Sequence, residues 1–159
     1  MASSLQVTCR VVLGLSALGP PVSAAAQEPT ADTALVAVVD QYRRARARTM
    51  QAGATDADVT AAAAVLADSV VYEHPAAGAR MTGRATLAEG MRSFLGMTRG
   101  AGFRVIRQVA GPGVVVAEEQ VSFEARRDRG WSRATRTQVT VYEVRDRHIT
   151  RMIEYWQPQ

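Results

Sequence analysis

The sequence predicts one α+β domain in which helices come first and strands last. Two patterns carry that expectation. Apolar residues recur at helical spacing up to about residue 95, interrupted by one short strand, and four β-prone runs joined by turn residues fill the remainder. The length of 159 residues is enough to bury a core without metal or disulfide staples.

Ahead of the domain, residues 1–26 read as a secretory leader: Arg10, a short apolar run from Val11 to Leu18, a Gly-Pro-Pro break and Ala24-Ala25-Ala26. Cleavage is expected after Ala26, and the apolar run is too short to anchor the mature chain in a bilayer. Residues 27–31 form a polar linker, and 32–159 the domain. The only cysteine, Cys9, leaves with the leader, so a mature chain has no disulfide, cysteine nucleophile or thiolate metal site. All 19 basic residues are arginine. Lysine chemistry, such as a Schiff base or a phosphate-loop lysine, is therefore excluded. The arginines are scattered among 15 acidic residues, which is not the basic face that nucleic-acid binding needs.

The first helix begins at Asp32. Leu35, Val38, Val39, Tyr42 and Ala45 make one apolar stripe, so the Tyr42 ring is expected inside. Gln51-Ala52-Gly53 breaks it. Thr55 to Asp58 offers caps for a short helix over Val59–Leu66. Next comes Ser69-Val70-Val71-Tyr72-Glu73-His74-Pro75, a strand that proline ends. Alternation puts Val70, Tyr72 and His74 on one face, delivering His74 to the rim of whatever the sheet encloses. Ala76–Gly83 is a loop with a short strand near Arg80-Met81. A third helix from Arg84 carries Leu87, Met91, Phe94 and Leu95, and ends in the glycine-bearing stretch from Met97 to Gly102.

Strands follow at Phe103–Val109, Val114–Arg126, Ser132–Val144 and Ile149–Trp156, an antiparallel meander. In the second of these Glu119, Val121 and Phe123 share a face. In the last, Thr150, Met152, Glu154 and Trp156 form one row, and Ile149, Arg151, Ile153 and Tyr155 the other.

The order of elements, together with the strings LADSVVYEHPAAGARMTGRATLAEGMRSF and ITRMIEYW, resembles the SnoaL-like branch of the nuclear transport factor 2 superfamily over residues 32–156. The resemblance implies a cone-shaped α+β barrel, a strongly bent antiparallel sheet wrapped around a long N-terminal helix with an apolar internal pocket. It also implies pairing of the outer sheet face with a second copy. The family holds isomerases, cyclases, an epoxide hydrolase and non-catalytic binding proteins, so fold alone does not choose among them. Matched to ketosteroid isomerase, the pocket tyrosine falls on Tyr42, the general-base aspartate on His74 and the protonated oxyanion-hole aspartate on Thr140. Pocket-lining positions fall on Glu119, Val121 and Phe123 and on Met152, Glu154 and Trp156, and Tyr72 joins them by sharing the face of His74.

Those residue types suit proton transfer on a small hydrophobic carbonyl compound. An imidazole is a good base near neutral pH, a carboxylate (Glu154 first, then Glu119) would stabilise its cation, and Tyr42 would donate to a developing enolate. No cofactor or metal is called for; His74 lacks a second histidine at HxH or HxxxH spacing. The expectation is an exported isomerase, cyclase or hydrolase with His74, Tyr42 and Glu154 as its catalytic residues. The alternative is an exported ligand-binding or dimeric scaffold module using the same pocket without turnover.

Overall fold

The computed structural model describes residues 31–156. The leader, nearly all of the linker and the last three residues lie outside them. Helix α1 spans Ala31–Arg48, α2 Asp56–Ala63 and α3 Arg84–Arg92. Strands are β1 Leu66–His74, β2 Ala79–Thr82, β3 Thr98–Gly111, β4 Val114–Arg127, β5 Gly130–Arg145 and β6 His148–Tyr155. They form one open sheet in the order β2-β1-β6-β5-β4-β3, with the three helices. Among the described residues no helix is long and apolar enough to cross a membrane.

Three departures from the sequence reading have local causes. Helix α2 starts three residues earlier than its apolar pattern, because Asp58 reaches back to the backbone N–H of Thr55 at 2.9 Å and to its hydroxyl at 3.1 Å. It therefore ends at Ala63, and Leu66 opens β1 as a fully buried core residue. Strand β3 starts at Thr98, ahead of Phe103: Gly100, at a φ of +65°, absorbs a register shift between Arg99 and Gly102. The glycines thus bend a strand where they were expected to end a helix. Third, the sheet is mixed. Strand β1 precedes the meander and runs parallel to β6, with Val71 beside Arg151 and Tyr72 beside Met152, while every other pair is antiparallel.

A bulge in β6 matters for the interior. Glu143 pairs with Arg151 but Val144 with Ile149, so Thr150 is the extra residue. The bulge resets alternation, and Ile149 and Met152 are both buried. The expected single row of Ile149, Arg151, Ile153 and Tyr155 is therefore corrected: Ile149 belongs to the core, and the other three keep that row. The core itself gathers Val39, Val59, Leu66, Val70, Val115, Tyr142, Ile149 and Met152 under α1 and α2. A cavity opens beside this core.

Candidate functional site

Spacing of four residues aims Tyr42 and Arg46 on α1, and Met50 just past its end, at one side of a cavity of about 420 Å³. Across from them β4 supplies Val121 and Phe123, β5 Arg136 and Tyr142, and β6 Met152 and Glu154, with Trp156 just beyond the strand. Tyr72 on β1, Met81 on β2, Leu87 and Met91 on α3, Phe94 after it, and Thr98 and Phe103 on β3 complete the wall. The volume suits a small organic molecule, and most of the wall is aromatic or aliphatic.

Glu154 is the one carboxylate on this wall. Its Oε2 accepts two hydrogen bonds, from the Tyr72 hydroxyl at 3.0 Å and from the Trp156 indole N–H at 3.0 Å. Its Oε1 accepts none among the described residues. Tyr72 stays protonated as a donor, because burial pushes its pKa up and the Glu154 carboxylate adds to the effect. Tyr42 is buried, with its hydroxyl bonded to no described residue; burial likewise raises its pKa, against a smaller opposing pull from Arg46.

Arg136 lies with its guanidinium carbon 3.9 Å from the centre of the Trp156 ring and 5.9 Å from that of Phe123. Its Nε donates to the Gln138 side-chain oxygen at 3.0 Å. Burial lowers its pKa, and the Glu154 and Tyr72 charges oppose that. Arg46 donates to the Thr49 hydroxyl at 2.6 Å. The hydroxyl of Thr98, a residue only 6% exposed, is buried with no hydrogen-bond partner.

Behind the wall sits a second polar cluster. Glu119, 0% exposed, accepts from Arg43 Nε at 2.6 Å and from the Tyr142 hydroxyl at 3.0 Å. Thr140 donates to its Oε2 at 3.3 Å and Gln138 at 3.4 Å. Arg43 also donates to Asp40 at 2.7 Å and Gln108 at 3.1 Å. Burial pulls the Arg43 pKa down, but Glu119 and the hydrogen bonds outweigh it and the net direction is up. The phenol of Tyr142 is pushed well up by burial and then by Glu119. Every polar atom of Glu119 is satisfied within the protein, so the cluster braces α1 against β4 and β5.

The sequence-derived residues thus separate into two groups. Tyr42, Tyr72, Val121, Phe123, Met152, Glu154 and Trp156 meet around the cavity. Glu119 and Thr140 are interior but lie in the Arg43 cluster, off the cavity wall. His74, 3% exposed, is also off the wall. Its ring stacks on Trp156 at 4.0 Å and 19°, and its Nε2 lies 2.9 Å from the Trp156 carbonyl oxygen. The carboxylate expected on its other nitrogen is turned away, since Glu154 is held by Tyr72 and Trp156. Sequence reasoning passed over Arg46 and Arg136. Both were accessible to it: Arg46 is four residues after Tyr42, and Arg136 shares the β5 row of Gln138, Thr140 and Tyr142. Among the described residues no three His, Cys, Asp or Glu side chains gather as metal ligands.

Comparison with known proteins agrees with this architecture. An epoxide hydrolase of the limonene type from Mycobacterium tuberculosis superposes with a TM-score of 0.65 at 23% identity, over 79% of this chain and 84% of that one. A protein of ketosteroid isomerase-like fold from Catenulispora acidiphila, solved with trimethylamine, gives 0.62 at 18% identity, over 76% and 85%. A candidate polyketide cyclase from Xanthomonas campestris gives 0.61 at 22% identity, over 79% and 92%. At these identities the likeness is one of fold. No curated protein sequence matches the chain. The SnoaL-like domain model matches residues 47–152, and the chain belongs to that family.

Proposed function

We propose that the chain is a cofactor-independent proton-transfer enzyme of the isomerase and cyclase kind, acting on a small hydrophobic carbonyl compound with Glu154 as the base. The observation that carries this reading is the state of Glu154. Two donors fix its Oε2, its Oε1 accepts no hydrogen bond from a described residue, and the side chain lines the largely apolar cavity. A carboxylate held in place this way is oriented before the substrate arrives. Oε1 takes a proton from the carbon next to the carbonyl. The Tyr42 hydroxyl, kept protonated by burial, donates to the carbonyl oxygen as the enolate forms. The protonated Glu154 then returns the proton to a different carbon, or the enolate carbon attacks a second carbonyl, whose oxygen takes that proton.

This assigns the base to Glu154 in place of His74, whose ring is packed against Trp156 outside the wall. The Mycobacterium relative is an epoxide hydrolase, and the same carboxylate could equally orient a water. Transfer of ligand protons to solvent separates the two. The test is NMR of a panel of small ketones in deuterated water: exchange next to the carbonyl, accelerated by the protein, supports proton abstraction. Binding without exchange leaves a non-catalytic binding module.

Export and assembly belong to the same reading. The leader features around Arg10 and Ala24–Ala26 support secretion with a mature start at Gln27, which N-terminal sequencing of exported protein checks. A homodimer through the outer sheet face is supported by a continuous apolar row: Val109 pairs with Val116, Val116 with Val141, and Val141 with Ile153.

A further inference from the structure

Arginines in this protein that are withdrawn from solvent come with a carboxylate, with two exceptions. Arg43, Arg84, Arg92, Arg99 and Arg151 are all less than fully exposed, and each forms an ion pair. Among the described residues only Arg46 and Arg136 are withdrawn and form none. Both line the cavity. A guanidinium partly withdrawn from water without an ion-pair partner carries a desolvation cost, and it cannot escape by losing its proton.

Partial compensation comes from neutral neighbours. Arg136 stacks on Trp156 and donates once to Gln138; Arg46 donates once to Thr49. Those contacts leave most of their N–H donors unused. Glu154 is near enough for its charge to act on Arg136, but it forms no ion pair with either arginine, and its Oε2 is held by Tyr72 and Trp156. The two cations are close enough for Arg46 to add to the downward pull on Arg136. Thr98 adds a buried hydroxyl on the same wall that also lacks a partner. Apart from these groups, Glu154 and three tyrosine hydroxyls, the wall is aliphatic or aromatic.

We infer that the ligand of this cavity is an amphipathic organic anion, an aromatic or aliphatic body bearing a carboxylate that the Arg46 and Arg136 guanidinium groups hold. The inference rests on the cavity being a small-molecule site and specifies the chemical class it takes. The apolar body occupies the space between Phe103, Phe123, Leu87 and Met152. The carboxylate takes charge-assisted hydrogen bonds from the unused guanidinium donors, with the Thr98 hydroxyl available as a further donor.

The test is isothermal titration calorimetry with naphthoate and its neutral isostere naphthamide, on wild type, Arg136→Gln, Arg46→Gln and Arg136→Lys, each checked for folding by thermal unfolding. Naphthoate is expected to bind at least about tenfold more tightly than naphthamide, with the preference shrinking as salt is raised. Either glutamine variant should cut the preference severalfold, and Arg136→Lys should retain more of it than Arg136→Gln. Equal affinity for the two probes would overturn the anionic assignment and leave the small-molecule site standing. An undiminished preference in both glutamine variants would overturn it as well. Failure of both probes to bind folded wild type would count against the cavity as a ligand site altogether.

Discussion

His74 and Trp156 are joined twice, by ring stacking at 4.0 Å and by the 2.9 Å contact between imidazole Nε2 and the tryptophan carbonyl oxygen. A carbonyl only accepts, so Nε2 carries the hydrogen and the tautomer is fixed. The indole N–H of the same tryptophan holds Glu154. On the proposed reading, His74 acts on the cavity through Trp156, as a positioning residue.

Removing that brace has a readable signature. His74→Ala should cost roughly 1–3 kcal/mol of stability, from a lost hydrogen bond and a lost ring contact. It should also loosen Trp156, changing tryptophan fluorescence and lowering ligand affinity. His74→Asn keeps a donor for the carbonyl and should restore part of both. Complete loss of turnover with unchanged fluorescence and affinity would instead make His74 the base.

The buried Arg43–Glu119 pair predicts a different asymmetry. Arg43 is 4% exposed and Glu119 0% exposed, so Glu119→Ala removes the buried counter-charge and leaves Arg43 only the partly exposed Asp40. The expected cost in urea unfolding is about 3–5 kcal/mol. Glu119→Gln keeps an acceptor for Arg43 and Tyr142 and should cost clearly less. Equal losses for the two variants would show that the charge is not what holds the cluster.

Acid sensitivity should trace partly to Glu73. Hydrogen bonding from Arg151, with Arg151 and Arg80 charges beside it, holds this carboxyl below its ordinary value. As pH falls, the unfolded chain takes up the proton first. The stabilisation is therefore complete above the ordinary glutamate pKa of about 4.3 and is lost as pH drops through the lower folded value. Melting temperature measured against pH should fall less steeply on the acid side in Glu73→Gln than in wild type.

Assembly can be tested at the middle of the outer apolar row. Val109 is 72% exposed and Val116 38% exposed, an arrangement that favours burial against a second copy. Wild type should sediment as a dimer at roughly tens of micromolar, and Val116→Asp as a folded monomer. A monomeric wild type removes the dimer.

Much of this was legible in the residues. Periodicity placed Tyr42 inside α1, alternation grouped Val121 with Phe123 and Met152 with Glu154 and Trp156, and all of them reach the cavity. The failures have one cause: alternation says which side chains share a face, but not where bulges reset it or which interior group satisfies which. The bulge at Thr150 moved Ile149 into the core. Glu119 has the same inward orientation as Val121, yet Arg43, 76 positions away in sequence, draws it into a separate cluster. His74 ends β1, as alternation and Pro75 suggested, but its ring is buried against Trp156 and off the cavity wall. A pairing across such a distance leaves no periodic trace.

The most direct measurement is the rate of ketone proton exchange into deuterated water for wild type and Glu154→Gln at equal ligand occupancy. The amide preserves an acceptor for Tyr72 and Trp156 and removes the base. The account predicts a loss of about 10²–10⁴-fold in exchange with binding retained. Exchange at the wild-type rate in Glu154→Gln would contradict it.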